Sequence, residues 1–201
     1  MSTGLIIALI VIAAVVVVGT VALALRGRAR RHGPSLEQRF GPEYDRAVAR
    51  HDGDAGAAER ELADRLEHHG DLRERPLDEA ALRQYTDRWA TVQEHFVEAP
   101  REAVAEADRL LAELAAARGY PDGARYEEQL AALSVHHPGH VDGYRQVHRV
   151  ASGGAGGTGA AGGNGAGTEE MRRALVGARA LFDDLTTTAG SSTRGRSQEG
   201  V

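Results

Sequence analysis

The chain has 201 residues and a net charge of −5, with 24 basic residues, all of them arginine, against 29 acidic ones, and no cysteine. Disulfides, thiol nucleophiles and thiolate metal sites are thereby excluded, in keeping with a reducing compartment. Residues 42–150 alone carry fourteen Arg against twenty-three Asp and Glu, a net −9; a domain that acidic repels phosphate backbones, so no nucleic-acid partner is expected.

Residues 5–25, LIIALIVIAAVVVVGTVALAL, hold no charge, and fourteen of them are Leu, Ile or Val. At about 1.5 Å rise per residue, such a helix crosses the roughly 30 Å hydrocarbon slab and satisfies its own backbone hydrogen bonds there. The expectation is one N-terminal transmembrane helix, residues 1–25, with the lipid bilayer as partner. Ala22-Leu23-Ala24 has the form that leader peptidase accepts, so a cleaved leader and a secreted chain form the alternative. Against it, the apolar run exceeds a leader core of about 7 to 15 residues, and residues 1–4 offer no basic side chain. Arg26, Arg28, Arg30 and Arg31 open a basic juxtamembrane segment, 26–41. Basic residues flanking a span stay cytoplasmic, which puts the N-terminus outside and the bulk of the chain in the cytoplasm.

Ser35-Leu-Glu-Gln38 has capping-box form and opens a brief helix. Pro42 suits a first helical position, with a helix through about Arg50. After His51-Asp-Gly-Asp54 the helical pattern resumes at about Ala57 and runs to His69. The clearest pattern follows: Leu82, Tyr85, Trp89, Val92 and Phe96 recur at spacings of 3, 4, 3 and 4, a helix with one buried face, entered from Asp78 as N-cap. Pro100 opens another helix, with Val104, Ala107, Leu111 and Leu114 along its seam as far as Gly119. Tyr126, Leu130 and Leu133 mark the next. Pro138 is expected to start the one after, with Val141, Tyr144 and Val147 or His148 inward.

Residues 152–167, SGGAGGTGAAGGNGAG, read as a Gly-rich flexible linker. Gly157-Thr-Gly159-Ala-Ala-Gly162 matches G-x-G-x-x-G, but nine of the fifteen residues 153–167 are Gly and a helix precedes them, so no nucleotide cofactor is read from it. A C-terminal helix over 168–186 is expected to pack on the bundle, capped by Thr168, with Glu169 and Glu170 at its positive end. Its stripe is Met171, Leu175, Ala178, Phe182 and Leu185. Residues 187–201 read as a disordered tail. The fold class is all-α: the anchor, then a soluble bundle over 42–151 and the last helix, about six to seven helices in all.

The one grouping suited to metal ligation is His136-His137-Pro138-Gly139-His140 with His148, completed by Asp142 or Glu127. Pro138 and Gly139 break the helix that would fix its geometry, and H-E-x-x-H is absent. No metal, cofactor or catalytic residue is assigned, with His137, His140 and His148 left as candidate ligands. His140, Tyr144 and His148 also share a helical face, a pH-sensitive packing surface if buried. No G-x-S-x-G elbow exists, and Ser134 has no evident base partner. Carboxylates interleaved with Arg, as in Glu61/Arg65, read as solvated helix faces.

FGPEYDRAV at 40–48, then ERELADRLEHHGDLRERPL, RQYTDRWATVQEHFVEAP, EADRLLAELAAARGYP and LSVHHPGHVDGYRQVH, taken in order, resemble a family of uncharacterised proteins of high-GC Gram-positive bacteria, often labelled secreted or membrane protein. The resemblance covers residues 40–150 and, more weakly, 168–186, and it implies no activity. The family pattern commonly has Asp-His-Pro where this chain has His136-His137-Pro138, which tells against a metal site built on His136; His137 and His148 fit the pattern. The expected function is a membrane-anchored interaction or scaffold module with an unidentified protein partner. The alternatives are a metal-dependent or acid/base hydrolase using His137, His140 and His148, or a secreted helical protein.

Overall fold

The computed structural model describes residues 35–153 and 164–187, with side chains in the last helix from residue 167 onward. The expected span at 5–25, Arg26, Arg28, Arg30 and Arg31, the glycine match at 157–162 and the chain beyond 187 lie outside the described residues. Among those described, no helix is long and apolar enough to cross a membrane.

The described chain is all-helical: α1 (Leu36–Phe40), α2 (Pro42–Arg50), α3 (Ala55–His69), α4 (Glu79–His95), α5 (Pro100–Ala117), a 3₁₀ turn (Gly123–Arg125), α6 (Tyr126–His136), α7 (Val141–Ala151) and α8 (Asn164–Thr187). It falls into two units, 1–39 and 40–201. In the first, the Ser35 hydroxyl accepts the Gln38 N–H at 3.2 Å, one half of the expected capping box. The remaining elements belong to the second unit.

Local chemistry sets several of the helix starts. The Asp54 carboxylate accepts the Ala57 N–H at 3.0 Å, and Asp78 accepts the Ala81 N–H at 2.7 Å, each satisfying a donor that the first turn leaves open. The Asp54 cap draws the start of α3 back to Ala55, two residues ahead of the expected position. Pro42 and Pro100 occupy first-turn positions, where no N–H is missed. At the end of α5, Gly119 takes φ +99°, a left-handed stop that side chains resist.

α5 is the central helix, packed by α4, α6, α7 and α8. Its buried face is wider than the expected seam, because Ala103, Leu110 and Ala115 join Val104, Ala107, Leu111 and Leu114 out of contact with water. On α4 the stripe is buried at its centre: Trp89 and Val92 are inside, Tyr85 and Phe96 pack half-buried against the core, and Leu82 is half-exposed. The Trp89 ring stacks on Phe182 of α8, with centroids 4.6 Å apart and planes 19° from parallel. Phe40, Ala47, Ala58 and Leu62 are buried on the first helices, of which α3 also packs on α6.

Two expected boundaries are corrected. Pro138 does not start a helix: the His140 and Val141 N–H groups both donate to His137 O, and α7 begins at Val141. Pro138 lies in the turn that closes α6, where its lack of an N–H ends one helix without opening another. Thr168 is not the cap of the last helix, which winds from Asn164 and so takes in four residues assigned to the linker. The apolar repeat that begins at Met171 locates a buried face, not the first hydrogen-bonded turn. Met171, Leu175, Ala178, Phe182 and Leu185 are all buried, each large side chain among them contributing about 1.5–3 kcal/mol relative to exposure.

α8 lies closest to α7. A Cβ built on Gly143 would fall 2.0 Å from Gly177 O, so the two backbones touch where neither helix carries a side chain.

Candidate functional site

One group of charged side chains lies inside the bundle. Arg118, at the C-terminal end of α5 and 2% exposed, donates through Nη2 to Glu74 Oε2 and through Nη1 to Arg75 O at 2.6 Å. Tyr120 donates its hydroxyl to Glu74 Oε1 at 2.8 Å. His137, at the end of α6 and 4% exposed, places Nε2 2.8 Å from both Glu74 Oε1 and the Tyr120 hydroxyl, and Nδ1 2.6 Å from Asp184 Oδ2 on α8. Burial works against the Glu74 charge, but the Tyr120 hydroxyl, His137 and Arg118 more than offset it and hold this carboxyl below the usual range. The Tyr120 phenol is driven far up by burial and by Glu74, so it stays a donor.

A second group ties α2 to α7. Glu43, 1% exposed, accepts both terminal nitrogens of Arg145 at 2.9 and 2.8 Å, and Arg145 also reaches Asp142 at 3.2 Å. Arg46 pairs with Asp142, which accepts Gln146 Nε2 at 2.6 Å. A buried carboxylate survives only with such two-pronged charge-assisted bonds.

Unlike these two, the third arrangement is open. Tyr85 of α4, Asp108, Ala112 and Glu113 of α5, Asp122 and Gly123 of the following turn, and Tyr144 and His148 of α7 line a groove of about 500 Å³. Small residues form its floor: a Cβ on Gly123 would sit 2.6 Å from Ala112 Cβ. Gln129 fixes the turn by donating to Ala112 O (3.0 Å) and Pro121 O (2.7 Å) and by accepting the Tyr144 hydroxyl (2.8 Å). At one end, His148 Nδ1 lies 3.1 and 3.0 Å from the two Asp108 oxygens, and its ring stacks on Tyr126 at 3.6 Å between centroids. Burial raises the Asp108 pKa, with His148 and Arg109 pulling the other way; burial likewise pushes the Tyr126 phenol up to about 12. At the other wall, Arg88 lies 6.0 Å over the Tyr85 ring and donates to Glu113 at 2.6 Å.

His148 Nε2 faces Ser152 Oγ at 3.4 Å, which gives a Ser–His–Asp line. The line lacks what acyl transfer requires. Ser152 sits at the carbonyl end of α7, whose dipole opposes a developing anion, and the Ser152 and Gly153 N–H groups are taken up by His148 O and Val150 O.

Two of the three candidate histidine ligands meet and one stands apart. His137 and His140 approach the same Asp184 oxygen, His140 at 3.9 Å, whereas His148 belongs to Asp108 and Tyr126. His136 turns Nε2 to His69 O at 2.9 Å. No group of three or more His, Asp or Glu among the described residues is placed to hold a metal ion. Of the alternatives Val147 and His148 for the inward position, Val147 is the buried one, and His148 is one-third exposed at the groove. The Ser134 hydroxyl donates to Ala131 O and accepts from Arg65.

Sequence reading missed Glu43, Glu74, Asp108 and Asp184. Glu43 had a partial signal, since it stands one turn before the apolar Ala47 on the same face of α2. Asp108 sits one residue after Ala107 on the α5 seam, and nothing local separates it from a surface acid.

Compared with known proteins, the chain matches no family model, no curated protein and no solved structure.

Proposed function

We propose that the chain is a membrane-anchored interaction module: residues 5–25 hold it in the bilayer, the bundle faces the cytoplasm, and the groove between α4, α5 and α7 docks a cationic segment of a protein partner. Asp108 carries the reading. Burial opposes its charge, the hydrogen bond it accepts comes from one imidazole, and a groove of about 500 Å³ lies before it. The interior carboxylates Glu43 and Glu74 are instead saturated by Arg145, Arg118 and Tyr120. A carboxylate that burial disfavours, lining a groove beside a specific charged partner, is a candidate for a binding site. Glu113 and Asp122 add two further carboxylates to the lining, beside the Arg109 guanidinium. The seat of Arg88, on the Tyr85 ring and Glu113, displays the chemistry these walls accept.

Proximity labelling from the bundle of the full chain, in the cells that make it, tests the reading together with carbonate extraction of their membranes. The chain should stay with the membrane pellet and label cytoplasmic neighbours. A mature chain outside the cell beginning near Leu25, or a labelled set identical to that of free ligase, contradicts it. The competing class, a His-dependent hydrolase, rests on the Asp108–His148–Ser152 line; covalent capture of Ser152 by a fluorophosphonate, lost in His148→Gln, would favour that class.

A further inference from the structure

We infer that Arg88 is an in-chain stand-in for an arginine of the docked segment: its guanidinium holds the seat made by the Tyr85 ring and the Glu113 carboxylate, and the partner's arginine displaces it. This rests on the docking reading and adds which cation the groove selects and what opposes its entry. Arg88 stands one turn beyond Tyr85 on α4 and reaches across to α5, donating to Glu113 Oε2 at 2.6 Å with its guanidinium carbon 6.0 Å from the Tyr85 ring centre. Tyr85 and Glu113 both line the groove that also holds Asp108 and His148. The seat is therefore part of the groove.

The contact can open at little cost. Arg88 is 33% exposed and Glu113 52%, and an ion pair so open to water contributes little to the fold. The buried pairs differ in this respect: breaking Glu43–Arg145 or Glu74–Arg118 would leave a charge in the interior. Arg83–Glu79, another exposed pair on α4, spans one turn of that helix and involves no residue of the groove lining.

The seat favours a guanidinium over an ammonium. A planar guanidinium lies on a ring face and still donates in its own plane to a carboxylate, whereas an ammonium is a compact, more strongly hydrated charge with no flat face to stack. Ala112, Ala116, Gly123 and Ala124 supply much of the remaining lining, and such short side chains leave room for the methylene stem of an arginine beside the seat. An incoming arginine binds with an affinity reduced by the fraction of chains in which Arg88 fills the seat.

Fluorescence anisotropy of a dye-labelled Arg-Gly-Ser repeat peptide and of its Lys-Gly-Ser counterpart, titrated with the full chain in non-ionic detergent, tests the inference. Arg88→Gln should bind the arginine peptide about fivefold more tightly than the unsubstituted chain, the strength of one exposed ion pair with a cation–π contact. Its urea midpoint should be unchanged. Arg109→Gln removes the same charge from the groove lining without emptying the seat, and should gain about twofold or less. The Arg88→Gln gain should vanish when Tyr85→Leu is added and should be smaller for the lysine peptide. Binding that is lost in Asp108→Asn upholds the docking reading whatever the Arg88 variants do. Equal gains from Arg88→Gln and Arg109→Gln, a gain that survives Tyr85→Leu, equal gains for the two peptides, or a large fall in the Arg88→Gln urea midpoint would overturn the stand-in role. No binding of the arginine peptide to any of these chains would overturn that role and the docking reading together.

Discussion

Gly143 and Gly177 meet backbone to backbone, so closely that a Cβ added to Gly143 would stand 2.0 Å from Gly177 O and 2.8 Å from Ala178 N. The reverse addition is milder: a Cβ on Gly177 comes within 3.2 Å of Gly143 Cα. The contact is the closest backbone approach described between α7 and α8, and its asymmetry is testable. Gly143→Ala must separate the helices, an overpacking penalty of about 1–3 kcal/mol or more. Gly177→Ala meets a smaller clash, partly offset by the roughly 1 kcal/mol helix advantage of Ala. Urea midpoints should thus fall clearly for Gly143→Ala and by much less for Gly177→Ala; equal losses would contradict the crossing.

The Glu43–Arg145 pair makes a second prediction. Removing the carboxylate in Glu43→Gln leaves a largely buried guanidinium with Asp142 as its remaining anion, a loss of about 3–5 kcal/mol for a broken buried pair. Replacing both, as Glu43→Leu with Arg145→Met, should lose far less than the sum of the single changes. A double-mutant cycle by denaturant unfolding reads the difference, and additive losses would show that the pair is not coupled.

Stability against pH should carry two opposed signatures. The folded-state pKa of Glu74 is lowered, so its contribution is present above the unfolded value of about 4.3 and disappears as pH falls through the folded one. Glu61 and Asp142 are also lowered and act in the same sense. Asp108 is raised, so its contribution is present at low pH and lost as pH climbs through its folded value. Unfolding midpoints measured from about pH 3 to 7 should therefore show a shallower acid limb in Glu74→Gln. In Asp108→Asn, stability at neutral pH should be unchanged or higher. A large loss in Asp108→Asn would make Asp108 a structural tie instead of a groove residue.

What the sequence made legible was what repeats locally. Asp54 and Asp78 cap because each stands just before a helical run, and the Met171–Leu185 stripe marks its buried face at 4, 3, 4, 3. Contacts between distant segments left no such trace. Gly143 and Gly177 are thirty-four positions apart and look like ordinary weak points in two helices; only their crossing explains them. His137 drew notice through its histidine neighbours, yet its partners Glu74 and Asp184 come from sixty-three positions before and forty-seven after. Periodicity carries no information on which acid it will meet.

The most direct test of the docking role is photocrosslinking from the groove. A benzoylphenylalanine at Ala124, on the rim of the groove, is activated in full chains in the membranes of the cells that make them. The account predicts a discrete adduct, mapped to an Arg- or Lys-rich segment of another protein, that vanishes in Asp108→Asn while folding is retained. An adduct that persists unchanged in Asp108→Asn, or no adduct from Ala124 at all, would contradict it.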